Sequence, residues 1–317
     1  MNTPLHAIEK GTVKPAAVRE ISLSRQLYWS LRRELWETRS IYLAPLIVTG
    51  LFLLGFMVNL AHLPKTMSEA SALEPMLQHQ TIQRPYLMAS LLLMFVTFVI
   101  GLFYSLEAFQ GERRDRSILF WKSLPVSDTT TVLTKAAIPI LVLPLVTCVA
   151  GFALQFVMLL LSTARLAGTG HVSLLWSHAS PLQMWPALLF HMVGMHGLWY
   201  APFYGWFMVV SSWAKRAALL WATLPLLAIG FAEKVAFNTN YFGRMLAHRF
   251  AGNSIEMAQS GDSGLHSTAG GMSMESMTPF TFSEYLVHPG LWIGLAITAA
   301  FLFVAIRMRR YRGPVGA

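Results

Sequence analysis

Six runs of apolar residues divide the chain, and each is close to the length of a membrane-crossing helix. They cover residues 41–62, 86–109, 136–161, 184–213, 217–232 and 286–306. A helix needs about 20 mostly apolar residues to cross the hydrocarbon of a bilayer, and these runs approach or exceed that length with little charge. The pattern therefore predicts an all-α membrane protein with six transmembrane helices in a domain that covers residues 41–306.

The lysines and arginines lie mostly on one side of these predicted spans. If both termini lie on the same side, 18 of the 24 basic residues share it. The other side keeps Lys65, Arg84, Arg165, Lys234, Arg244 and Arg249. Because cytoplasmic loops are enriched in basic residues, we expect a multi-pass protein of a bacterial inner membrane. The tails 1–40 and 307–317 are then cytoplasmic, and the loop 233–285 lies outside.

The end of the N-terminal tail carries a leucine at every fourth position. Four leucines and four polar residues occupy opposite faces, namely Leu23, Leu27, Leu31 and Leu35 against Arg25, Gln26, Arg33 and Glu37. This spacing predicts an amphipathic helix in the membrane interface. Trp29 and Trp36 suit the depth of the lipid headgroups, and the basic residues suit anionic lipid. A lipid anchor and a coupling element are both consistent with this helix.

The composition agrees with a membrane location and argues against nucleic-acid binding and cysteine-based sites. Hydrophobic residues make up 55% of the 317 residues and charged residues 12%, which leaves too little polar surface for a soluble protein. The formal net charge of +9 does not indicate nucleic acid, because the basic residues cluster beside apolar runs. Cys148 is the only cysteine, so an intramolecular disulfide and a cysteine-based metal cluster are excluded.

The segment that joins the second and third runs is the most informative part of the sequence. Residues 111–135 read GERRDRSILFWKSLPVSDTTTVLTK. Five charged residues are followed by an apolar group that ends in Phe120 and Trp121, and then by the turn signal Pro125-Val126-Ser127. This order predicts a short surface helix with one apolar and one charged side. A basic loop that only sets topology would need neither the aromatic pair nor the turn.

These residues resemble the first cytoplasmic loop of the type-2 family of ATP-binding-cassette exporter permeases. In that family a Glu-Arg pair opens the loop, apolar residues follow, and a Pro-Val-Ser turn and a later Lys close it. The chain matches this order from Glu112 and Arg113 to Lys135, while Arg116-Ser117 stands where many members have Gly-Thr. The interfacial helix, the six-span layout and the broken region after the fifth run extend the likeness over most of the chain.

The resemblance implies a transport permease and not an enzyme. Such a permease pairs with a second permease chain, binds one ATP-binding-cassette ATPase subunit per protomer, and is coupled to it by a cytoplasmic coupling helix in the loop 110–135. The implied coupling residues are Glu112, Arg113, Arg114, Asp115, Arg116, Phe120, Trp121 and Lys122. ATP and Mg would be bound by the ATPase, because this sequence has no G-x-x-x-x-G-K-[ST] phosphate loop. No cofactor is expected in this chain.

Three ionisable residues fall within or near the ends of predicted spans. Glu107, His191 and His196 are candidates for gating or intramembrane polar contacts, because such groups are costly in hydrocarbon. The alternative for Glu107 is a helix-end carboxylate paired with Arg113 or Arg114. The alternative for the histidines is a buried hydrogen bond, since a spacing of five is poor for two metal ligands on one helix.

The outer loop gathers soft ligands, and its interpretation stays open. It contains Met257, Met272, Met274 and Met277 together with His248 and His266. These side chains are compatible with Cu(I), but a flexible loop rich in Gly and Ser, which explains them without a metal, is the favoured interpretation.

Two other functions fit a protein with these features. A membrane-integral enzyme acting on lipid would gather acids, histidines or arginines at one membrane depth, which the predicted spans do not do. A signalling or assembly scaffold without transport also fits, because a docking loop alone does not require substrate movement. The sequence indicates no particular substrate.

Overall fold

The computed structural model describes residues 22–115, 117, 127–251 and 282–311, and every regular element in these ranges is a helix. The predicted all-α class is therefore confirmed. Five helical stretches are long and apolar enough to cross a membrane, namely Ser40–Ser71, Pro75–Arg114, Asp128–Leu166, Ala218–Phe237 and Pro289–Tyr311. These stretches support a multi-pass membrane protein.

The first half of the described chain contains seven α-helices. They are α1 (Leu23–Glu37), α2 (Ser40–Asn59), α3 (Leu63–Ser71), α4 (Pro75–Glu107), α5 (Gln110–Arg114), α6 (Asp128–Ala137) and α7 (Leu143–Leu166). A 3-10 turn, Leu60–His62, joins α2 to α3, and a π-helical segment, Ile138–Val142, joins α6 to α7. The third membrane-crossing stretch therefore begins at Asp128, well before the apolar run at 136.

Ser127 accounts for this early start. Its hydroxyl accepts a hydrogen bond from the Thr130 amide at 3.0 Å, which satisfies one of the backbone donors that a helix leaves open at its N-terminus. Ser127, the last residue of the predicted Pro-Val-Ser turn, is thus a helix cap. Residues 128–135, which the sequence placed in a loop, belong to α6.

The second half contains α8 (Val172–His178), α9 (Pro181–Leu189), α10 (Ala201–Trp213), α11 (Ala218–Phe237), α12 (Tyr241–Ala251), α13 (Phe282–Val287) and α14 (Pro289–Tyr311). A second π-helical segment, Phe190–Trp199, lies between α9 and α10. α10 packs against α4 and α14, and α7 packs against α2 and α4. These contacts place α4, α7 and α10 at the centre of the bundle.

The predicted fourth span, 184–213, is not among the five membrane-crossing stretches. It folds as α9, the π-helical segment and α10, and the helix is interrupted at Tyr200. Pro202 lies in the first turn of α10 and has no amide hydrogen to continue the preceding helix. The run is therefore helical but divided.

α11 continues to Phe237, past Glu233 and Lys234, whereas the predicted apolar run ends at residue 232. Glu233 lies inside the helix, and its carboxylate accepts hydrogen bonds from the Thr239 hydroxyl at 2.8 Å and from the Tyr241 and Phe242 amides at 2.5 and 2.8 Å. These bonds cap the start of α12. Asn238 ends α11 in the left-handed conformation with a φ of 49°. The segment 235–250, which the sequence predicts to lie at the outer interface or to re-enter it, forms the end of α11 and most of the helix α12, which packs against α11.

The two π-helical segments pack directly against each other. Gly197 of the second segment lies against the backbone carbonyl of Ile140 in the first. Ile140 precedes Pro144 by four residues, so the proline cannot donate the usual helical hydrogen bond to this carbonyl. Close approach of two backbones explains the glycine at position 197.

Replacing Gly197 by alanine should destabilise the fold, whereas the same change at Gly55 should not. A methyl group at 197 would overlap the Ile140 carbonyl oxygen, which is a backbone atom and cannot rotate away. Overpacking of this kind costs about 1–3 kcal/mol. A methyl group at Gly55 in α2 would meet open space. Thermal unfolding in one detergent should show a lower midpoint only for Gly197→Ala, and equal midpoints would contradict the close contact.

Candidate functional site

A chain of charged side chains with alternating sign lies where α1, α5, α6 and α14 meet. In order, its members are Arg33, Glu34, Lys135, Glu112, Arg309 and Asp128. The successive nitrogen–oxygen distances are 3.0, 2.9, 3.3, 2.5 and 3.2 Å. We call these six residues the charge network.

The charge network is largely buried. Glu34 is 2% exposed, and Lys135 and Arg309 are each 4% exposed. Removing a charge from water costs several kcal/mol, so each of these groups depends on its neighbours of opposite sign. Tyr104 of α4 also donates a hydrogen bond to Glu34 at 3.0 Å. The network therefore ties five helices together.

Glu34 shows how burial and charge oppose each other in the network. Burial alone would raise the pKa of this carboxyl, but Lys135 and Arg33 beside it hold the pKa below its ordinary value of 4.5. The carboxyl is therefore charged at neutral pH. Because the folded-state pKa is lowered, the contribution of Glu34 to stability is present above pH 4.5 and is lost as the pH falls through the lowered pKa.

The start of α5 is held against the end of α10 by two further contacts. The Ser211 hydroxyl accepts hydrogen bonds from the Phe109 and Gln110 amides at 3.0 and 3.1 Å. Arg113 is 4% exposed and donates to the Ser212 carbonyl at 2.6 Å. A cation at the carbonyl end of a helix is stabilising. The first turn of the loop is thus fixed to α10 as well as to the charge network.

The ion pairs of Glu112 connect α5 mechanically to two other helices. Glu112 contacts both Lys135 of α6 and Arg309 of α14, so a displacement of α5 must either move these two helices or break buried ion pairs. Among the described residues, no group of three or more His, Cys, Asp and Glu side chains is arranged to hold a metal ion.

The structure divides the coupling residues inferred from the sequence into three groups. Glu112 and Arg113 face inward, where they contact other parts of the same chain. Arg114 and Asp115 form a pair at 3.3 Å, and their side chains are 68% and 65% exposed. The remaining members, Arg116, Phe120, Trp121 and Lys122, lie outside the described residues. Coupling stays a prediction, and Arg114 and Asp115 are the described members available to a partner.

Glu107 lies at the edge of a cleft and not in the bundle interior. The cleft has a volume of about 400 Å³, lies between α1, α4 and α5, and is lined by Glu107 at the exposed end of α4. Carboxylates outnumber cations in its wall, with Glu34, Glu37, Glu107, Glu112 and Asp115 against Lys135 and Arg114. Three of these carboxylates, Glu34, Glu112 and Asp115, are already paired with cations.

His191 and His196 are both buried in the π-helical segment. The Nδ1 atom of His191 lies 2.7 Å from the Ala187 carbonyl oxygen, so the expected buried hydrogen bond is present for this residue. His196 packs edge-on against Tyr200, with the ring centroids 5.2 Å apart. A gating role for either histidine stays a prediction.

α1 is helical as predicted, and two of its four leucines pack against protein. Leu31 and Leu35 pack inward against a cluster that contains Ile41, so these leucines cover protein. The outer face exposes Trp29 and Trp36 at 52% and 68%. The guanidinium of Arg32 lies 5.2 and 5.0 Å from the centroids of these two rings. Contact of this aromatic and basic face with lipid headgroups stays a prediction.

Sequence reasoning missed most of the charge network. Glu34, Asp128 and Arg309 were given no role, and Lys135 appeared only as the lysine that closes the loop. One signal was present, because Glu34 falls three residues after Leu31 and therefore on the leucine face of α1. A carboxylate on an apolar face requires a buried partner.

Comparison with protein-family models, with curated proteins and with solved structures gives no match for this chain.

Proposed function

We propose that the chain is the transmembrane permease subunit of an ATP-driven exporter and that a separate ATPase subunit acts on it through the loop 110–135. The observation that carries this proposal is the charge network, which joins the first turn of that loop to α1, α6 and α14. A second permease chain and the bound ATP and Mg belong to the proposal through the family resemblance. The chain itself performs no covalent step.

The network offers a physical path for the coupling. A partner that pushes on the exposed Arg114 and Asp115 displaces α5, and Glu112 passes the displacement to α6 and α14. Both helices continue into membrane-crossing stretches. Packed helices respond to such a force by shifting as units, which is the movement that alternating exposure of a substrate path requires.

Contacts at the network also support six crossings. Lys135 lies before the start of α7, and Ser212 lies at the end of α10. Both residues contact α5, so the start of the one segment and the end of the other are on the same side of the bundle. If the chain leaves this side through α7, it must return through the segment 181–213. The same reasoning applies to α11 and α14, since Arg309 returns to Glu112. In this arrangement the divided segment 181–213 is the fourth of six spans and adds one crossing to the five continuous stretches, and both termini are cytoplasmic.

Reporter fusions distinguish six crossings from five. A fusion after Arg312 should show cytoplasmic activity, and a fusion within residues 261–271 should show periplasmic activity, because the basic segments and the network lie on the cytoplasmic side. A chain with five crossings would place its termini on opposite sides. Periplasmic activity after Arg312, with the N-terminus shown to be cytoplasmic, would overturn the proposed topology.

A further inference from the structure

An apolar cavity of about 560 Å³ lies between α10, α11, α12 and α14. Its walls are mainly aromatic and branched side chains, including Phe203, Trp206, Leu226, Ile229, Ile293 and Ile297. Cavities of this size that are lined by apolar side chains with a few polar groups are typical of small-molecule sites.

The cavity opens between two membrane-crossing stretches. Ile229 of α11 is 50% exposed, and Ile293 of α14 is 61% exposed, although both line the cavity. α11 and α14 are among the stretches apolar enough to span a bilayer, so the opening between them faces hydrocarbon. An apolar chain can enter from the bilayer without crossing water.

The polar part of the wall is basic. His248 and Arg249 of α12 and His288 before α14 line the cavity. The Arg249 guanidinium lies 4.2 Å from the Trp199 ring centroid, and its Nη1 donates to the Gly290 carbonyl at 2.7 Å. Within the part of the chain that the structure describes, no hydrogen-bond acceptor contacts its buried Nε and Nη2. Buried cationic N–H groups without an acceptor are costly, and a small turn of the guanidinium toward the cavity would give a ligand oxygen access to them.

We propose that this cavity binds one acyl chain of an anionic phospholipid, with the phosphate of the headgroup at Arg249. The apolar walls suit an acyl chain, and the lateral opening lets that acyl chain enter from the bilayer. The guanidinium of Arg249 suits the phosphate. This inference goes beyond the proposed function and does not depend on the ATPase.

Photo-crosslinking in vesicles tests the proposal with the full chain. The vesicles contain phosphatidylcholine and a trace of a phosphatidylglycerol or phosphatidylcholine probe, each with a diazirine in one acyl chain. Labelled peptides are then mapped by mass spectrometry. At the cavity residues of α11, α12 and α14, the anionic probe should label about tenfold more than the zwitterionic probe, because the choline cation of phosphatidylcholine opposes the attraction between its phosphate and the Arg249 guanidinium.

Two matched pairs of variants separate the acyl chain from the headgroup. Leu226→Trp fills the cavity and should abolish labelling there by both probes, whereas Leu224→Trp, on the exposed side of the same helix, should not. Arg249→Gln should remove the preference for the anionic probe, and Arg249→Lys should retain most of it. The Leu226 result stands even if the Arg249→Gln protein fails to fold.

Two outcomes overturn the proposal. Labelling that is spread evenly over the exposed helix faces and is unchanged in Leu226→Trp would show that the cavity holds no acyl chain. Cavity labelling that is equal for the two probes in the unaltered protein would show that the headgroup is not selected by its charge.

Discussion

Replacing Lys135 by methionine should lower the free energy of unfolding by about 3–5 kcal/mol, the usual cost of removing one partner from a buried ion pair. Lys135 lies 2.9 Å from Glu34 and 3.3 Å from Glu112, so its loss leaves two carboxylates with fewer cations in a water-poor site. Methionine keeps the length of the side chain, and the effect therefore reports on charge. Unfolding of the purified protein in one detergent measures it.

Two comparisons show whether the effect comes from burial. Lys65→Met removes the exposed pair of Lys65 and Glu69, which are 3.8 Å apart, and should cost about 1 kcal/mol or less. The double variant Glu34→Gln/Lys135→Met should be more stable than Lys135→Met alone, because one unpaired carboxylate is also removed. The difference between Lys135→Met and the unaltered protein should shrink as the pH falls through the lowered pKa of Glu34. Equal destabilisation by Lys65→Met and Lys135→Met would contradict the account of the network.

In the proposed complex with an ATPase subunit, replacing Arg309 by glutamine should uncouple ATP hydrolysis from the permease. Arg309 holds both Glu112 and Asp128, and without it α14 loses its charged connection to the loop and to α6. Removing one partner of a buried, hydrogen-bonded charge pair costs about 2–5 kcal/mol, so stimulation of ATP hydrolysis by the permease should fall by at least about tenfold. The measurement is ATP hydrolysis by the reconstituted complex, with copurification of the ATPase as a second readout.

The neighbouring arginine provides the control for this change. Arg310 is exposed, so Arg310→Gln removes the same charge from the same helix end without touching the network. The complex that contains Arg310→Gln should hydrolyse ATP and export normally. Arg309→Lys should recover part of the stimulation, because a lysine keeps the charge but not the two-sided contact of a guanidinium. A folded Arg309→Gln complex with normal hydrolysis and export would remove the network from the coupling path.

The helices could be predicted from the sequence because each depends on local composition. Apolar runs of spanning length predicted the helical class and the approximate position of every long helix. The sequence predicted a turn at Ser127 but not the helix α6 that begins there. Predictions failed where a distant contact determines the outcome. α11 continues beyond Glu233 because that carboxylate finds the amides of Tyr241 and Phe242, which no run of apolar residues indicates.

The charge network could not be predicted for the same reason. Glu34, Glu112, Lys135 and Arg309 meet only after four separate helices have packed, and one sequence does not show which buried charge meets which. The family resemblance selected Glu112 and Arg113 as coupling residues, a role that stays a prediction. It implied contact with a partner, whereas the structure directs both side chains into the chain itself.

Site-specific crosslinking from position 114 tests the central claim most directly. A photoreactive amino acid in place of the exposed Arg114 should crosslink to a subunit that carries a phosphate loop, with a yield that differs between ATP and ADP. The same amino acid in place of Lys65, which is exposed and lies outside under the proposed topology, should give no such product. Absence of this crosslink from position 114 in native membranes, or an equal yield from position 65, would contradict a permease that is driven through this loop.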